Sequence, residues 1–422
     1  MRVLLISANT ERMNILPLPL GLAMIAAASR RAGHEVMLLN LMFEEETEAA
    51  IVKGIEDCRP QVIGISVRNV DDQNMQSPQF LLPPAQKVVA VCRRSCDAPT
   101  VIGGAGYSIF PESALRYLGA NMGIRGEGET TFPAVLERIS RLESVSGLPG
   151  VYLPGQPPPN RRYAMNLDTL PLPDPELLIP AVADSAEFWV PVQSRRGCPM
   201  DCSFCSTSAI EGRSIRRHSP AAIAGWVSRV ARRGFRNFHF VDNTFNLPPN
   251  YAKEICRRII ELDLDLNLWC IIYPKWIDRE LAQLMARAGC REVSLGFESG
   301  SDRILGLFNK RFKIEEVRAV SKIFAEVGIQ RRGFLLLGGP GETRESVEES
   351  LDFADSVNLD ALKITVGLRV YPGTPLAATA LAEELIAPGD DLLRPRFYFA
   401  PGLAGWLPER VTTYRTSRPW VM

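Results

Sequence analysis

Three of the chain's nine cysteines, Cys198, Cys202 and Cys205, fall within the stretch RRGCPMDCSFCSTS (195–208) at the spacing C-x3-C-x2-C. Three thiols are one too many for a disulfide and one too few for a tetrahedral zinc site. No fourth Cys or His follows at zinc-ligand spacing, and His218, 13 residues beyond Cys205, reads as a surface or helix-start residue. Three thiolates can instead hold three irons of a cubic 4Fe–4S cluster. The fourth iron is then open to another ligand, whereas ligation by four cysteines gives an electron carrier. The spacing therefore predicts a substrate-binding cluster.

Composition bounds the rest. At 422 residues, the chain has room for two or three domains with sizeable cores. Its 46% hydrophobic and 23% charged residues are ordinary for a globular protein. The 48 basic and 48 acidic residues cancel, which argues against a nucleic-acid partner that needs a basic surface. The apolar run at 3–6 is too short for a signal-peptide core or a membrane span. The expected setting is cytoplasmic, with reduced thiols and no membrane partner. Cys58, Cys92, Cys96, Cys256, Cys270 and Cys290 read as core thiols.

The elements that must position the cysteines come in two series. VLLISA (3–8), EVMLLNLM (35–42), VIGISV (62–67) and the strand in PTVIGGAGYS (99–108) are near-continuous apolar runs separated by helical segments. That pattern predicts a parallel sheet covered on both faces, a doubly wound Rossmann-like α/β domain over 1–144 with ligands at the carboxyl ends of its strands. Residues 145–186 are proline-dense and read as an extended connector. From 187 to 385 six βα units follow, with strands at 187–194, 237–243, 266–274, 292–299, 333–339 and 361–371. Ser219 stands as N-cap before Pro220 at a first helical position. Six units suit a partial (βα)6 barrel of TIM type, whose catalytic residues gather at the carboxyl ends of the strands. The cysteines lie just past its first strand. Residues 386–422 read as an irregular, aromatic-rich C-terminal cap.

With Phe204 between the second and third cysteines, the triplet resembles the C-x3-C-x-aromatic-C motif of the radical S-adenosylmethionine (radical SAM) superfamily. The resemblance implies that the open iron chelates the amino and carboxylate groups of SAM. One electron from an external reductant then cleaves SAM to a 5′-deoxyadenosyl radical. It also implies SAM contacts at the strand ends. FVDNTF (240–245) places Asp242 and Asn243 where the family has Gly-Gly-Glu, a departure similar to the cobalamin-type branch. Glu298 and Ser299 in GFESGS would face the SAM ribose or carboxylate. Gly338 and Gly339 in LLGGPGET and Tyr371 in RVYPGTP would line the adenine side.

A doubly wound domain ahead of such a barrel resembles the cobalamin-binding branch. Gly103, Gly104 and Gly106 in VIGGAGYS would let the cobalamin tail lie against the backbone. Gly126, Glu127 and Gly128 resemble that branch's Gly-Glu-Gly-Glu turn. Asn9 and Thr10 lie in the first strand–helix loop, and Arg68 and Asn69, at the end of the third strand, are candidates for the face beneath the corrin. The first loop (7–17) has no histidine, and His34 lies at the far end of the following helix. Base-off cobalamin without a protein histidine ligand is therefore expected. The implied cofactors are a 4Fe–4S cluster, SAM and cobalamin. The implied activity is C-methyl transfer to an unactivated carbon of a small metabolite. Ring formation or rearrangement without methyl transfer, and non-catalytic corrinoid or SAM sensing, stand as alternatives. A methylthiotransferase-type second cluster does not match the positions of Cys58, Cys92 and Cys96. Trp269, Tyr273, Trp276, Tyr371, Tyr398 and Trp406 are candidate substrate walls, although aromatic residues at strand ends more often serve packing.

Overall fold

The computed structural model describes the whole chain except residues 12–15, 158, 181–187, 419 and 422. Parts of the first loop and of the proline-rich connector thus lie outside the described residues. The chain divides into two compact units. Met1–Asp72, Gln79–Asp184 and Ala209–Gly212 form the first, and Gln73–Pro78, Ser185–Ser208 and Arg213–Met422 the second.

In the first unit β1 (Arg2–Ser7), β2 (Glu35–Asn40), β3 (Val62–Ser66), β4 (Thr100–Gly103), β5 (Met122–Ile124) and β6 (Val151–Tyr152) form one sheet in the order β2-β1-β3-β4-β5-β6. The pairs are parallel except β5 with β6. Helices α1 (Leu20–Arg31), α2 (Thr47–Cys58), α3 (Leu82–Ser95), α4 (Ala105–Ile109), α5 (Pro111–Leu118) and α6 (Gly128–Ser140) connect the strands. Val3, Leu4, Leu5 and Ile6 are fully buried, as a sheet covered on both faces requires. The strand order reverses between β1 and β3, the switch point at which such sheets open a crevice. The connector packs within this unit: Arg31 donates to the Thr169 carbonyl at 2.7 Å, and a short helix, α7 (Pro175–Leu178), follows.

The second unit holds six parallel strands in strict chain order: β7 (Trp189–Val192), β10 (Asn237–Phe240), β11 (Asn267–Ile272), β12 (Cys290–Glu298), β13 (Gln330–Leu337) and β14 (Ala361–Val366). A small antiparallel hairpin, β8 (Arg195–Arg196) with β9 (Arg216–Arg217), rises from the end of β7. Helix α8 (Thr207–Glu211) lies in its loop. Between strands run α9 (Pro220–Ala231), α10 (Pro249–Ile260), α11 (Arg279–Arg287), α12 (Asp302–Leu307), α13 (Ile314–Glu326) and α14 (Arg344–Ser356). Ser219 caps α9, its hydroxyl accepting from the Ala222 N–H at 3.3 Å. The expected long sixth strand breaks after β14 at Gly367 (φ +75°), and β15 (Leu368–Arg369) follows. A Cβ at Gly367 would lie 2.3 Å from Met75 Sδ, so only glycine accommodates that side chain.

The tail is more regular than expected. After α15 (Pro375–Ala382), β16 (Phe397–Tyr398) pairs with β15, and α16 (Leu407–Thr416) packs on α14. Arg410 reaches Glu348 at 2.6 Å, and the Tyr414 hydroxyl donates to Asp355 at 2.9 Å. Among the described residues no helix is long and apolar enough to cross a membrane.

Candidate functional site

The three cysteines sit in the loop of the β8–β9 hairpin, at the carboxyl end of the first barrel strand. None of the three is in a disulfide; Cys198 is buried, and Cys202 and Cys205 are half-buried, with the Cys205 thiol 3.2 Å from the Thr207 hydroxyl. The hairpin is anchored from below. The fully buried Asp242 carboxylate accepts from the Ser194 N–H (2.8 Å), the Ser194 hydroxyl (2.5 Å) and the Arg195 N–H (3.0 Å). The buried Arg195 guanidinium donates to the Gly197 carbonyl at 2.9 Å and to Thr244 through its carbonyl oxygen and hydroxyl. Gly197 (φ +86°) starts the loop, and a Cβ there would meet the Ser214 carbonyl oxygen at 2.0 Å. Asp242, expected at the ligand, instead accepts three hydrogen bonds that hold the hairpin. Asn243 follows it in the turn after β10, half-buried.

A second set of contacts clasps the loop from above. The segment FNKRF (308–312), beyond α12, was not singled out from sequence. Ser203 N–H donates to the Phe308 carbonyl (3.0 Å), Asn309 to the Asp201 carbonyl (3.2 Å) and Arg311 to the Asp201 carboxylate (2.9 Å). Phe204 packs edge-on against Phe308, with ring centroids 5.5 Å apart. Leu376 N–H donates to the Ser203 carbonyl at 2.9 Å. The Tyr273 hydroxyl accepts from the Arg311 N–H at 2.8 Å, and Asn246 clamps both backbone groups of Tyr273. A polar–aromatic chain thus runs from the exit of β10 to the cysteine loop.

Glu298 ends β12 with φ +64°, just after a register shift at Gly296, and its carboxylate receives Lys310 Nζ at 3.1 Å. Ser299, expected beside it at the ligand, is instead fully buried. Its hydroxyl lies 3.0 Å from that of Ser350 on α14, and it accepts from the Ser301 N–H. Gly338 and Gly339 follow β13, and their N–H groups donate to the Glu342 carboxylate, to Gly339 at 2.8 Å. A Cβ at Gly339 would strike the Phe308 ring at 2.5 Å. Tyr371 lies half-buried beyond β15, with the Arg369 guanidinium 5.1 Å from its ring.

His218 is buried rather than superficial, its N–H donating to the Ser194 carbonyl at 3.0 Å. Of the candidate walls, Trp269 lies within β11, stacked on His239 at 4.7 Å and under the Arg332 guanidinium, while Tyr398 is buried and donates to Glu383. Trp276 is 44% exposed beyond β11.

Burial pushes the Asp242 carboxyl up to about 6 and that of Glu342 up to about 7, against donors that favour the charged forms. Both folded values exceed the ordinary 3.8 and 4.5, so the folded chain retains protons that the unfolded chain has released. Their stabilisation is complete below pH about 4 and is lost as pH rises towards 7. Denaturant midpoints of the wild type are expected to fall across that window. In Asp242→Asn plus Glu342→Gln the fall is shallower, and an unchanged pH slope counts against this assignment.

In the first unit, a cleft of about 320 Å³, including its open mouth, is lined by Asn9, Thr10, Glu11, Val67, Arg68 and Asn69 with residues of α3. It lies at the β1/β3 switch point and gathers four of the residues expected there. Arg68 is solvent-accessible, yet the surrounding protein lowers its pKa by desolvation. With its amide oriented to suit both partners, Asn69 donates to the Arg68 carbonyl (3.1 Å) and accepts from its guanidinium (3.2 Å). His34 sits at the opposite, amino-terminal edge of the sheet, 3.2 Å from the Met1 amino group.

The glycines do other work than expected. A Cβ at Gly104 (φ +105°) would lie 2.4 Å from the Val67 carbonyl oxygen, and one at Gly106 would lie 3.0 Å from Arg68 and Asn69 backbone atoms. Only Gly103 has ordinary room. The Gly-Glu-Gly turn grips the chain itself. Gly126 N–H donates to the Ser108 hydroxyl, Glu127 accepts from the Ala164 N–H at 2.9 Å, and Gly128 abuts Ile25.

The donor set fits a cluster with an open iron: three thiols outside any disulfide, in a loop whose shape is fixed by backbone contacts. Among the described residues no three Cys, His, Asp or Glu side chains converge on a single-ion site. Three thiols in such a loop, at the carboxyl end of the first of six parallel strands, suit a metal cluster that keeps one ligand position open.

The sequence matches the Radical SAM superfamily over residues 192–354 and the B12 binding domain over residues 14–136. The chain thus carries a radical SAM domain preceded by a B12-binding domain. It is similar to an uncharacterized methyltransferase of Pyrococcus horikoshii, 29% identical over 378 residues, 87% of this chain and 79% of that protein. It is also similar to a tryptophan 2-C-methyltransferase of Streptomyces laurentii, 23% identical over 433 residues, 87% and 72% of the two chains. Its fold matches the radical SAM methyltransferase TsrM of Kitasatospora setae, solved with cobalamin and a [4Fe–4S] cluster bound. That match has a TM-score of 0.85 and 23% identity, and covers 100% of this chain and 90% of that one.

Proposed function

We propose that the protein is a C-methyltransferase that places a methyl group on an unactivated carbon of a small metabolite. The observation that carries this reading is the three-cysteine loop, without a disulfide, at the carboxyl end of β7, in a chain that also opens a cleft at the β1/β3 switch point. When bound, the cluster with SAM supplies a 5′-deoxyadenosyl radical, and cobalamin supplies the methyl group. Cys198, Cys202 and Cys205 hold the cluster. Glu298, Asn243, Gly338, Gly339 and Tyr371 border the SAM side. Asn9, Thr10, Arg68 and Asn69 border the corrin, whose lower face is left without a histidine. An external one-electron donor reduces the cluster. The methyltransferase names of the relatives support methyl transfer over rearrangement.

Methyl-labelled SAM tests the reading. Reconstituted protein with cobalamin, reductant and candidate small metabolites is expected to give a product carrying the label. A product without label assigns the chain to rearrangement or cyclisation. No deoxyadenosine in any condition removes the radical reading altogether.

A further inference from the structure

Resting on that reading of the cysteine loop, we propose that Lys310 is a positioning residue that sets the reduction potential of the cluster held by Cys198, Cys202 and Cys205, with Glu298 as its partial counter-charge. The side chain of Lys310 is only 6% exposed. Its ammonium lies 5.3 Å from the ring of Phe204, the residue between the second and third cysteines, and 5.9 Å from that of Phe312. Glu298 takes it at 3.1 Å from the end of β12, on a backbone held at φ +64°. Its neighbours on either side bind the cysteine loop directly through Asp201, and Phe308 takes the Ser203 N–H. The lysine is therefore fixed to the loop from both directions in sequence.

The Glu298 carboxylate, 3.1 Å from its ammonium, holds the lysine as a cation in this buried position. The cation next to it in sequence differs. Arg311 pairs with Asp201 at the surface with 49% exposure, where solvent screens most of its field. A cation in a low-dielectric setting acts over several ångströms. A cluster with three thiolates is already anionic, and taking up one electron from the external donor adds a further negative charge. Lys310 stabilises the reduced form more than the oxidised form. Charge, hydrogen bonds and burial are established levers on such potentials. Glu298 opposes the effect, and the pair sets the value by difference.

The test is an EPR-monitored redox titration of the reconstituted full-length protein without SAM, with iron and sulfide counted in each sample. Lys310→Met is expected to shift the midpoint negative by the equivalent of about a tenfold change in the reduced-to-oxidised ratio, ~59 mV for one electron. Lys310→Arg is expected to keep the wild-type midpoint. Glu298→Gln unmasks the lysine and is expected to shift it positive. A structural role alone predicts shifts of one sign, or none, in both Lys310→Met and Glu298→Gln, and either result overturns the proposal. If Lys310→Met takes up no iron, the sign of Glu298→Gln decides: positive supports the proposal, and zero or negative overturns it. Failure of the wild type to take up four irons would instead strike the cluster reading itself.

Discussion

Cys202→Ala is expected to lose SAM cleavage to background and most of its iron, while the chain keeps its fold. The loss follows from ligand count, because two thiolates cannot hold three irons of a cubic cluster. Retention of the fold follows from what shapes the loop. Asp242 and Arg195 anchor the β8–β9 hairpin, and the Ser203 amide and carbonyl bond to Phe308 and Leu376. None of these bonds passes through the Cys202 sulfur. Burial raises the pKa of that thiol, and the Lys310 ammonium opposes the rise. Cys256→Ala provides the contrast. Cys256 is buried on α10, and burial pushes its thiol far up. Its substitution is expected to cost about 1–2 kcal/mol of stability through a small cavity and to leave iron content and deoxyadenosine yield intact. Circular dichroism, iron analysis and deoxyadenosine yield separate the two outcomes. Wild-type cleavage in Cys202→Ala would falsify the assignment of the cluster.

The difference between those two cysteines was legible from spacing alone, because three cysteines within eight residues must share one loop. The six βα units and the switch-point cleft were legible for a similar reason: apolar runs broken by helices force a parallel sheet, and its carboxyl edge is where loops open. Roles that depend on partners far along the chain were not legible. Asp242 looked like a ligand because it ends a strand at the barrel mouth. Its donors lie 47 and 48 residues earlier, and they absorb it. Ser299 looked exposed until Ser350, 51 residues on, covered it. FNKRF reads locally as the frayed end of α12, yet it binds Asp201 from more than a hundred residues away. A lysine set between two phenylalanines, 12 residues after a strand-end glutamate, is the signal that could have marked it. The tail shows the same limit, since α16 is held by the burial of Leu407, Val411 and Tyr414 and by the Arg410–Glu348 pair to α14, partners far away in sequence.

Glycine clusters are the sharpest case, and they yield the second large effect. Gly104→Ala is expected to destabilise the first unit by about 3 kcal/mol and to weaken hydroxocobalamin binding at least about tenfold. Two penalties coincide at this position. The backbone stands at φ +105°, which side-chain-bearing residues rarely adopt, and the new Cβ would lie 2.4 Å from the Val67 carbonyl oxygen. The Val67 carbonyl has little freedom to retreat, because it accepts from the Gly106 N–H at 3.1 Å, while its own N–H donates to the Gly103 carbonyl at 2.8 Å. Any displacement passes to Arg68 and Asn69, which line the cleft. The glycine thus acts on the proposed corrin site through the chain's own backbone rather than by yielding space to the cofactor. Gly103→Ala distinguishes the two mechanisms. Its Cβ would meet only the Ile124 carbonyl oxygen, at an ordinary 3.5 Å. If the glycines served direct cofactor approach, both variants would lose hydroxocobalamin alike with little change in thermal midpoint. If backbone packing governs, Gly104→Ala loses stability and affinity together, and Gly103→Ala stays close to the wild type in both.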